Sequence, residues 1–387
     1  MPKTTGSMLM QIALIAVLIG AITFMLNRSY VPSAPMVGSA TTSAQTAAAS
    51  EATASSTAAT STPPAATTTP NTAIVKKTSS KGKKSESSAG GGIVRRIDNP
   101  YDSAPLSFTV VNDIARSALV NILCLTSGGL VRPISGSGVV IDPRGIILTN
   151  AHVAQYVLLA DSGKIDLTCY VRTGSPAVSQ WIPRVLYIPR AWVTEHAAEI
   201  TEPHPLGTGE HDYALLYIDR SIDGSALPSS FSAISPDTRE AIAFVDDQVL
   251  AASYPAEFLG GLAATNNLYA AGSITSIKQL LTFDTDSVDV MSLGGVIEAQ
   301  SGSSGGAISN QWGRLVGIIT TTSEAATTAE RDLRGITLSY INRDIKAQTG
   351  NDLTSILGGD PKQGADTFES QQGIALADIL LKEIFKN

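Results

Sequence analysis

The sequence is short of the residues that nucleic-acid-binding and metal-binding proteins use. Only 16% of its 387 residues are charged, and it has two cysteines and four histidines. The net charge is −7, and residues 1–96 hold nine Lys or Arg against two acids, so residues 97–387 carry −14. Because nucleic-acid binding needs clustered cations, this acidic body argues against a nucleic-acid partner. The histidines also lack metal-ligand spacing, so we expect no metal and no cofactor.

Residues 8–26, MLMQIALIAVLIGAITFML, are apolar apart from Gln11 and Thr23. A helix of this length spans about 28 Å, close to the hydrocarbon thickness of a bilayer and longer than a signal-peptide core needs. We therefore predict a retained, single-pass transmembrane signal anchor. Cleavage after small residues near Ser39 is the alternative. The positive charges at the N-terminus weakly favour residues 1–7 in the cytoplasm and the rest of the chain outside.

Residues 27–105 are predicted to form a disordered stalk. Ala, Ser, Thr and Pro dominate from Val31 to about Gly92, without any apolar period. Such a segment buries too little apolar surface to offset the entropy of ordering. The basic run KKTSSKGKK (76–84) is predicted to be a solvated tether, with contact to anionic lipid or wall polymer as the alternative.

Residues 106–350 have the pattern of an all-β body. Short β-branched runs, from FTVVNDI (108–114) and ALVNILCLT (118–126) to RLVGIITTTS (314–323), are separated by turn residues. No helix-length patterns alternate with them, which predicts an antiparallel sandwich or barrel. The pattern restarts near residue 240, so we expect two β units, over about 106–225 and 238–345. Helical periodicity over 341–357 and 373–385 predicts a helical tail at 351–387.

The stretch SGSSGG (301–306) is the kind of sequence that surrounds a serine nucleophile. All four histidines precede it, which excludes the Ser-acid-His order of α/β-hydrolases and leaves the order His, Asp, Ser. His152 follows the apolar run GIILTN, and Asp212 begins the apolar run DYALLYID, so they are the candidate base and its orienting acid. His196 and His204 lie in a polar loop and are predicted to be surface residues.

Three blocks carry a family resemblance: SGSGVVIDPRGIILTNAHV, DYALLYID, and SGSSGGAIS followed by GRLVGIIT. They resemble the signature blocks of trypsin-like (chymotrypsin-clan) serine proteases, nearest the bacterial HtrA/DegP-type branch, over about residues 107–345. The resemblance implies two six-stranded antiparallel Greek-key barrels with the site in the cleft between them. His152 and Asp212 would come from the first barrel and Ser304 from the second. HtrA-type proteases usually carry a PDZ domain next, but the 37 residues after Gly350 cannot hold one.

The resemblance also implies individual roles. By position Ser304 matches the nucleophile, and the N–H groups of Gly302 and Ser304 match the oxyanion hole. Ser303 stands where relatives usually have Asp or Asn, so activation by an N-terminal ammonium is not implied. The first and fourth strands are neighbours in this fold, and Cys124 and Cys169 lie on them. That adds to the preference for one disulfide in an exported chain over two thiols in a cytosolic one.

Substrate contacts are implied at two further places. Glu298, six residues before Ser304, matches the floor of the S1 pocket and would favour Lys or Arg before the scissile bond. The alternative is that Glu298 lies on the surface. Thr320, Thr321 and Thr322 match the strand that pairs with the substrate backbone.

These observations lead to one main hypothesis and two alternatives. The main hypothesis is a bacterial, membrane-anchored, extracytoplasmic serine endopeptidase that cleaves protein or peptide substrates through an acyl-enzyme. A catalytically inactive protease fold that binds partners or acts as a scaffold is the first alternative. A stalked adhesin is the second, and it explains the stalk but not His152 or Asp212.

Overall fold

The computed structural model describes residues 96, 99–127, 129–202, 208–257, 265–283, 287–323, 325, 327 and 329–386. All of them belong to one compact unit within residues 71–387. The predicted cytoplasmic N-terminus (1–7), the predicted anchor (8–26) and most of the predicted stalk lie outside the described residues. Within the described ranges, no helix is long and apolar enough to cross a membrane.

The first β unit is a closed barrel of six antiparallel strands. They are β1 (Leu119–Thr126), β2 (Ile134–Asp142), β3 (Ile146–Thr149), β4 (Leu167–Thr173), β5 (Val178–Tyr187) and β6 (Ala214–Ser221). Their order is β1-β2-β3-β6-β5-β4, and β4 pairs with β1 to close the barrel. Cys124 lies opposite Cys169 in that closing pair, and the two form the disulfide that the sequence predicts.

The second β unit is a seven-stranded antiparallel sheet. Its strands are β7 (Gln248–Ser253), β8 (Ala271–Ser276), β9 (Gln279–Leu281), β10 (Val290–Gly294), β11 (Ala307–Ser309), β12 (Leu315–Thr322) and β13 (Leu333–Thr337). The order is β8-β7-β11-β12-β13-β10-β9.

This sheet corrects the prediction of a second closed six-stranded barrel. The outer strands β8 and β9 are separated along the chain only by Ile277 and Lys278. Thr275 Oγ1 donates to the carbonyl of Leu293 at 3.0 Å, and Lys278 N donates to the carbonyl of Ser292 at 2.7 Å. These hydrogen bonds bring the β8 end of the sheet back towards β10. Because β8 and β9 are two separate strands and not one continuous strand, the sheet is a half-barrel.

Helix α1 (Phe108–Ala118) replaces the predicted strand FTVVNDI. The Ser107 side chain caps it by accepting a hydrogen bond from Val110 N. The buried positions Val111, Ala115 and Ala118 recur every three or four residues, which is helical spacing. The β-branched composition was therefore the wrong guide here, and the cap and the spacing decide the element.

The other helices lie at the start of barrel connections and at the C-terminal end. They are α2 (Ala151–Asp161), α3 (Arg190–His196) with a 3₁₀ turn (Ala197–Thr201), α4 (Leu338–Thr349), α5 (Leu353–Gly358), α6 (Pro361–Phe368), a π-helical turn (Glu369–Gly373) and α7 (Ile374–Ile384). The predicted C-terminal helices are thus present. Leu376, Leu380 and Ile384 of α7 join the hydrophobic core of the first barrel, so this end of the chain is docked on it.

Residues 99–105, which the sequence assigns to the stalk, pack on the second β unit. The Tyr101 hydroxyl donates to Asp237 and accepts from Asn310 Nδ2. Trp312 Nε1 donates to the carbonyl of Ser103 at 2.9 Å. The folded body therefore begins before residue 106.

Candidate active site

His152 stands at the start of α2, three residues after β3 ends. Asn150 occupies the N-cap position of this helix. Its Nδ2 donates to the backbone carbonyl of Asp212 at 2.7 Å. The amide side chain therefore ties the turn that carries Asp212 to the beginning of α2.

Asp212 holds His152 through two hydrogen bonds. Its Oδ1 accepts from the backbone N–H of His152 at 3.0 Å, and its Oδ2 accepts from His152 Nδ1 at 2.8 Å. Asp212 Oδ2 also accepts from Thr320 Oγ1 at 2.9 Å. With the proton fixed on Nδ1, the Nε2 atom of His152 is left as the acceptor.

The charges of this pair shift both pKa values. Burial alone would lower the pKa of His152, but the charge and hydrogen bond of Asp212 outweigh it and raise that pKa. Burial alone would raise the pKa of Asp212, whose residue surface is only 5% exposed. The charge and hydrogen bonds of His152 and the hydrogen bond from Thr320 outweigh burial and lower it. The arrangement favours a proton on His152 and a carboxylate on Asp212.

Ser304 meets this pair in a cleft of about 710 Å³. His152 and Asp212 line it from the first unit, and Gly302, Ser304 and Thr320 line it from the second. Between the described side chains of His152 and Ser304 there is no direct hydrogen bond. Bonds of this kind often tighten only when substrate binds.

Two peptide groups of the nucleophile loop have fixed orientations. The carbonyl of Ser301 accepts from Ala256 N at 2.8 Å, and the carbonyl of Ser303 accepts from Gly306 N at 2.9 Å. In a trans peptide the C=O and N–H bonds point in opposite directions. The N–H groups that follow these two carbonyls, on residues 302 and 304, therefore point away from those donors. Both residues line the cleft, so the pair can stabilise an oxyanion there.

Position 302 requires a glycine because of its backbone conformation and because neighbouring atoms lie too close for a side chain. Its φ is +92°, a region that residues with a Cβ rarely adopt. A Cβ at this position would lie 2.8 Å from the carbonyl oxygen of Tyr254. The neighbouring Ser303 is buried, and its Oγ accepts from Ser253 Oγ at 2.9 Å. A neutral hydroxyl pair thus stands at the position where the family resemblance predicts an acid or an amide.

Residues 136–318 match the family model of the trypsin-like peptidase domain. The match identifies these residues as a trypsin-like peptidase domain. The matched residues run from β2 into β12 and include His152, Asp212 and Ser304. The predicted family and the predicted enzyme class, a serine endopeptidase, are confirmed.

Among solved structures, the chain is similar to the serine endoprotease from Yersinia pestis. The two share 20% sequence identity with a TM-score of 0.41, over 64% of this chain and 69% of that chain. No curated protein matches the chain.

The peptidase domain does not place Glu298 at the cleft surface. Glu298 is fully buried, and the residues that line the cleft do not include it. Its Oε1 accepts from Ser273 Oγ at 3.1 Å, and burial raises its pKa. The surface alternative is therefore wrong, and a role at the floor of the S1 pocket stays a prediction.

The three threonines of the peptidase domain lie at the end of β12. Thr320 turns its buried side chain to Asp212, a contact that the sequence did not indicate. Thr321 and Thr322 pair with Arg334 and Leu333 of β13 on one side. In the part of the chain that the structure describes, no strand pairs with their other side. That open edge can accept an extended substrate, and this role stays a prediction.

A second His–Asp pair lies behind Asp212 and was missed from the sequence. His211 Nδ1 and Asp344 Oδ2 are 2.8 Å apart, and the hydrogen bond to Asp344 raises the pKa of His211. The Tyr213 hydroxyl donates to the same Asp344 oxygen at 2.7 Å. The neighbours of Asp212 on both sides are thus anchored to α4. Nothing local in the sequence around Asp344 signals this contact.

His196 also departs from its prediction as a surface residue. It lines the cleft, its side chain is 16% exposed, and its ring stacks on Trp192. Its Nδ1 lies 2.8 Å from Glu199 Oε1. It is therefore part of the cleft wall on the side of His152. His204 lies outside the described residues.

Proposed function

We propose that this chain is a membrane-anchored, extracytoplasmic serine endopeptidase that hydrolyses peptide bonds in protein or peptide substrates. The observation that carries the catalytic part is the double hydrogen bond from His152 to Asp212 at the edge of the cleft that Ser304 lines. A base oriented in this way is what a serine hydroxyl needs to become a nucleophile.

In the first half-reaction, Ser304 Oγ attacks the substrate carbonyl carbon while His152 Nε2 takes the hydroxyl proton. Asp212 stays ionised and stabilises the imidazolium. The N–H groups of Gly302 and Ser304 stabilise the oxyanion of the tetrahedral intermediate. His152 then gives its proton to the leaving amine as the C–N bond breaks. This leaves the acyl group on Ser304 and releases the C-terminal product.

In the second half-reaction, water replaces the amine. His152 takes a proton from the water as it attacks the acyl carbonyl, and it returns that proton to Ser304 Oγ when the ester bond breaks. The same oxyanion site serves both tetrahedral intermediates. No residue outside the cleft has to move a proton in either step.

The anchoring and location rest on the sequence and on the disulfide. The apolar run at 8–26 has the length of a membrane span and is followed by a polar stalk. A disulfide between β1 and β4 fits a domain that folds in an oxidising compartment. We test this part by fractionating cells that express the full chain. The chain should stay with membranes after alkaline washing, and deletion of residues 8–26 should release it. Recovery of the full chain in the cytosolic fraction would contradict the anchor.

The nucleophile is tested with a fluorophosphonate probe and a peptide-cleavage assay. Ser304→Ala should abolish labelling and cleavage, while Ser301→Ala and Ser303→Ala should remain labelled. Labelling that survives Ser304→Ala would overturn the assignment. A folded wild-type protein that binds peptides but is neither labelled nor active would favour the scaffold alternative.

A further inference from the structure

An ion pair between Arg331 and Glu257 lies on the wall of the cleft. Arg331 Nη1 and Nη2 bind the two carboxylate oxygens of Glu257 at 2.6 and 2.8 Å. The side chains are 15% and 28% exposed, so the pair is partly shielded from water. Two-pronged guanidinium–carboxylate contacts of this kind fix geometry as well as charge.

Both members of the pair bind the loop that precedes Ser304. Glu257 Oε2 accepts from the backbone N–H of Ser301 at 3.2 Å. Arg331 Nη1 donates to the carbonyl of Ala299 at 2.9 Å. Because Ala256 N already donates to the carbonyl of Ser301, two consecutive residues, 256 and 257, hold Ser301 by both of its backbone polar groups.

These contacts determine how the next peptide is oriented. The carbonyl of Ser301 and the N–H of Gly302 belong to one planar group, so a rotation that frees the carbonyl turns the N–H out of the cleft. Ser303 brings no charge to this loop, and its side chain bonds to the neutral Ser253. The charged anchor of the loop is supplied from outside it, by Glu257 and Arg331.

We propose that Glu257 and Arg331 are positioning residues that keep the Gly302 N–H directed at the oxyanion. This inference rests on the proposed function, because the N–H acts only if Ser304 forms a tetrahedral intermediate. The oxyanion exists in the transition state and not in the bound substrate. Loss of the pair therefore lowers kcat and leaves KM nearly unchanged.

The experiment compares Glu257→Ala, Glu257→Gln, Arg331→Met, Arg331→Lys and the double variant Glu257→Ala/Arg331→Met. Glu240→Ala is the matched control, since Glu240 also pairs with an arginine, Arg343, but does not line the cleft. Each protein is assayed with a fluorogenic peptide chosen by cleavage-site profiling of the wild type. Each is also titrated with the boronic acid of the same peptide, whose adduct with Ser304 places an oxygen in the oxyanion site.

Removing an oxyanion donor outright costs about 10²–10³ in kcat, so displacing it in Glu257→Ala should lower kcat about 10- to 100-fold. KM should stay within about twofold, and the boronate inhibition constant should rise in step with the fall in kcat. The double variant should be no worse than Glu257→Ala, because the pair acts as a unit. Arg331→Lys and Glu257→Gln should recover part of the loss, and Glu240→Ala should match the wild type.

The possible failures can be told apart. An active wild type with unchanged kcat and boronate affinity in folded Glu257→Ala would overturn the inference alone. A rise in KM with kcat unchanged would also overturn it, by making the pair a substrate contact. If Glu257→Ala does not fold, an unchanged kcat in both Glu257→Gln and Arg331→Met would overturn the inference instead. A wild type whose Ser304 is unreactive would overturn the proposed function, and this inference with it.

Discussion

Gly305, directly after the proposed nucleophile, is a place where even a single methyl group should be poorly tolerated. Its φ is +83°, and a Cβ there would lie 2.1 Å from the carbonyl oxygen of Ser137 and 2.5 Å from Thr149 Oγ1. Ser137 itself is held in place, because its backbone N–H donates to the carbonyl of Ser304 at 2.7 Å. The Gly305→Ala methyl would therefore push the first barrel away from the nucleophile loop.

Gly350 provides the matched control for this change. It caps α4 with a φ of +80°, but no atom lies within 4 Å of the position of its Cβ. Gly350→Ala therefore isolates the backbone cost of the left-handed conformation, about 1 kcal/mol. Gly305→Ala adds the steric term, for which overpacking typically costs about 1–3 kcal/mol. Because the nearest contact is a backbone atom that cannot rotate aside, we expect the upper part of that range.

The assay is chemical unfolding of both variants together with the rate of fluorophosphonate labelling. The free energy of unfolding should fall by about 1 kcal/mol in Gly350→Ala and by about 3–4 kcal/mol in Gly305→Ala. Labelling of Ser304 should slow only in Gly305→Ala. Equal losses of stability in the two variants, with normal labelling in both, would refute the close contact between the barrels at this glycine.

Three further predictions concern titratable groups. Asp212→Asn keeps the shape of the side chain but loses the charge that fixes His152, so kcat should fall about 10⁴-fold; a loss under tenfold would contradict the orienting role. Because the pKa of His152 is raised above 6.5 and its neutral form is the base, kcat/KM should decline with falling pH through a value above 6.5; a decline only below pH 6 would contradict this. Burial raises the pKa of Asp161 to about 7. A carboxyl whose pKa is raised in the folded state contributes its full stability below its unfolded pKa near 4. This contribution is lost as the pH rises through the folded pKa of about 7. In urea unfolding, the free energy of unfolding of Asp161→Asn should therefore exceed that of the wild type at pH 8, by at most about 4 kcal/mol, but not at pH 4. An equal difference between the two proteins at both pH values would count against this prediction.

The strands were predictable from the sequence because alternating apolar runs and turn residues leave a local signal. The α1 helix was not, since Phe108–Ile114 is rich in β-branched residues while its helical spacing becomes visible only with Ala115 and Ala118. The half-barrel was also hidden. Ile277 and Lys278 look like strand residues in the sequence. The break between β8 and β9 becomes visible only through the hydrogen bonds that Lys278 N and Thr275 Oγ1 donate to the carbonyls of Ser292 and Leu293.

The candidate site divides in a similar way. Residue type and chain order suffice to select His152, Asp212 and Ser304, because the chemistry demands a base, an acid and a nucleophile in a limited set of orders. Residues that act by holding a backbone carry no such constraint. Glu257 and Arg331 are 74 residues apart and meet only in the folded chain.

Glu298 shows how position along the chain differs from direction in space. Counting back six residues from Ser304 locates it, but a tight turn at 296–300 directs its side chain into the second β unit, where Ser273 is its partner. Burial raises its pKa, and a protonated carboxyl attracts Lys or Arg no more than an amide does. If Glu298 forms the floor of the S1 pocket, enrichment of Lys and Arg before the cut should therefore grow as the pH rises. Cleavage-site profiling over a series of pH values from about 4.5 upward measures this, with Glu298→Gln as the control that should show no such growth. An enrichment that stays constant over the whole series, or that persists in Glu298→Gln, would remove Glu298 from the pocket and leave the specificity to the cleft-lining residues.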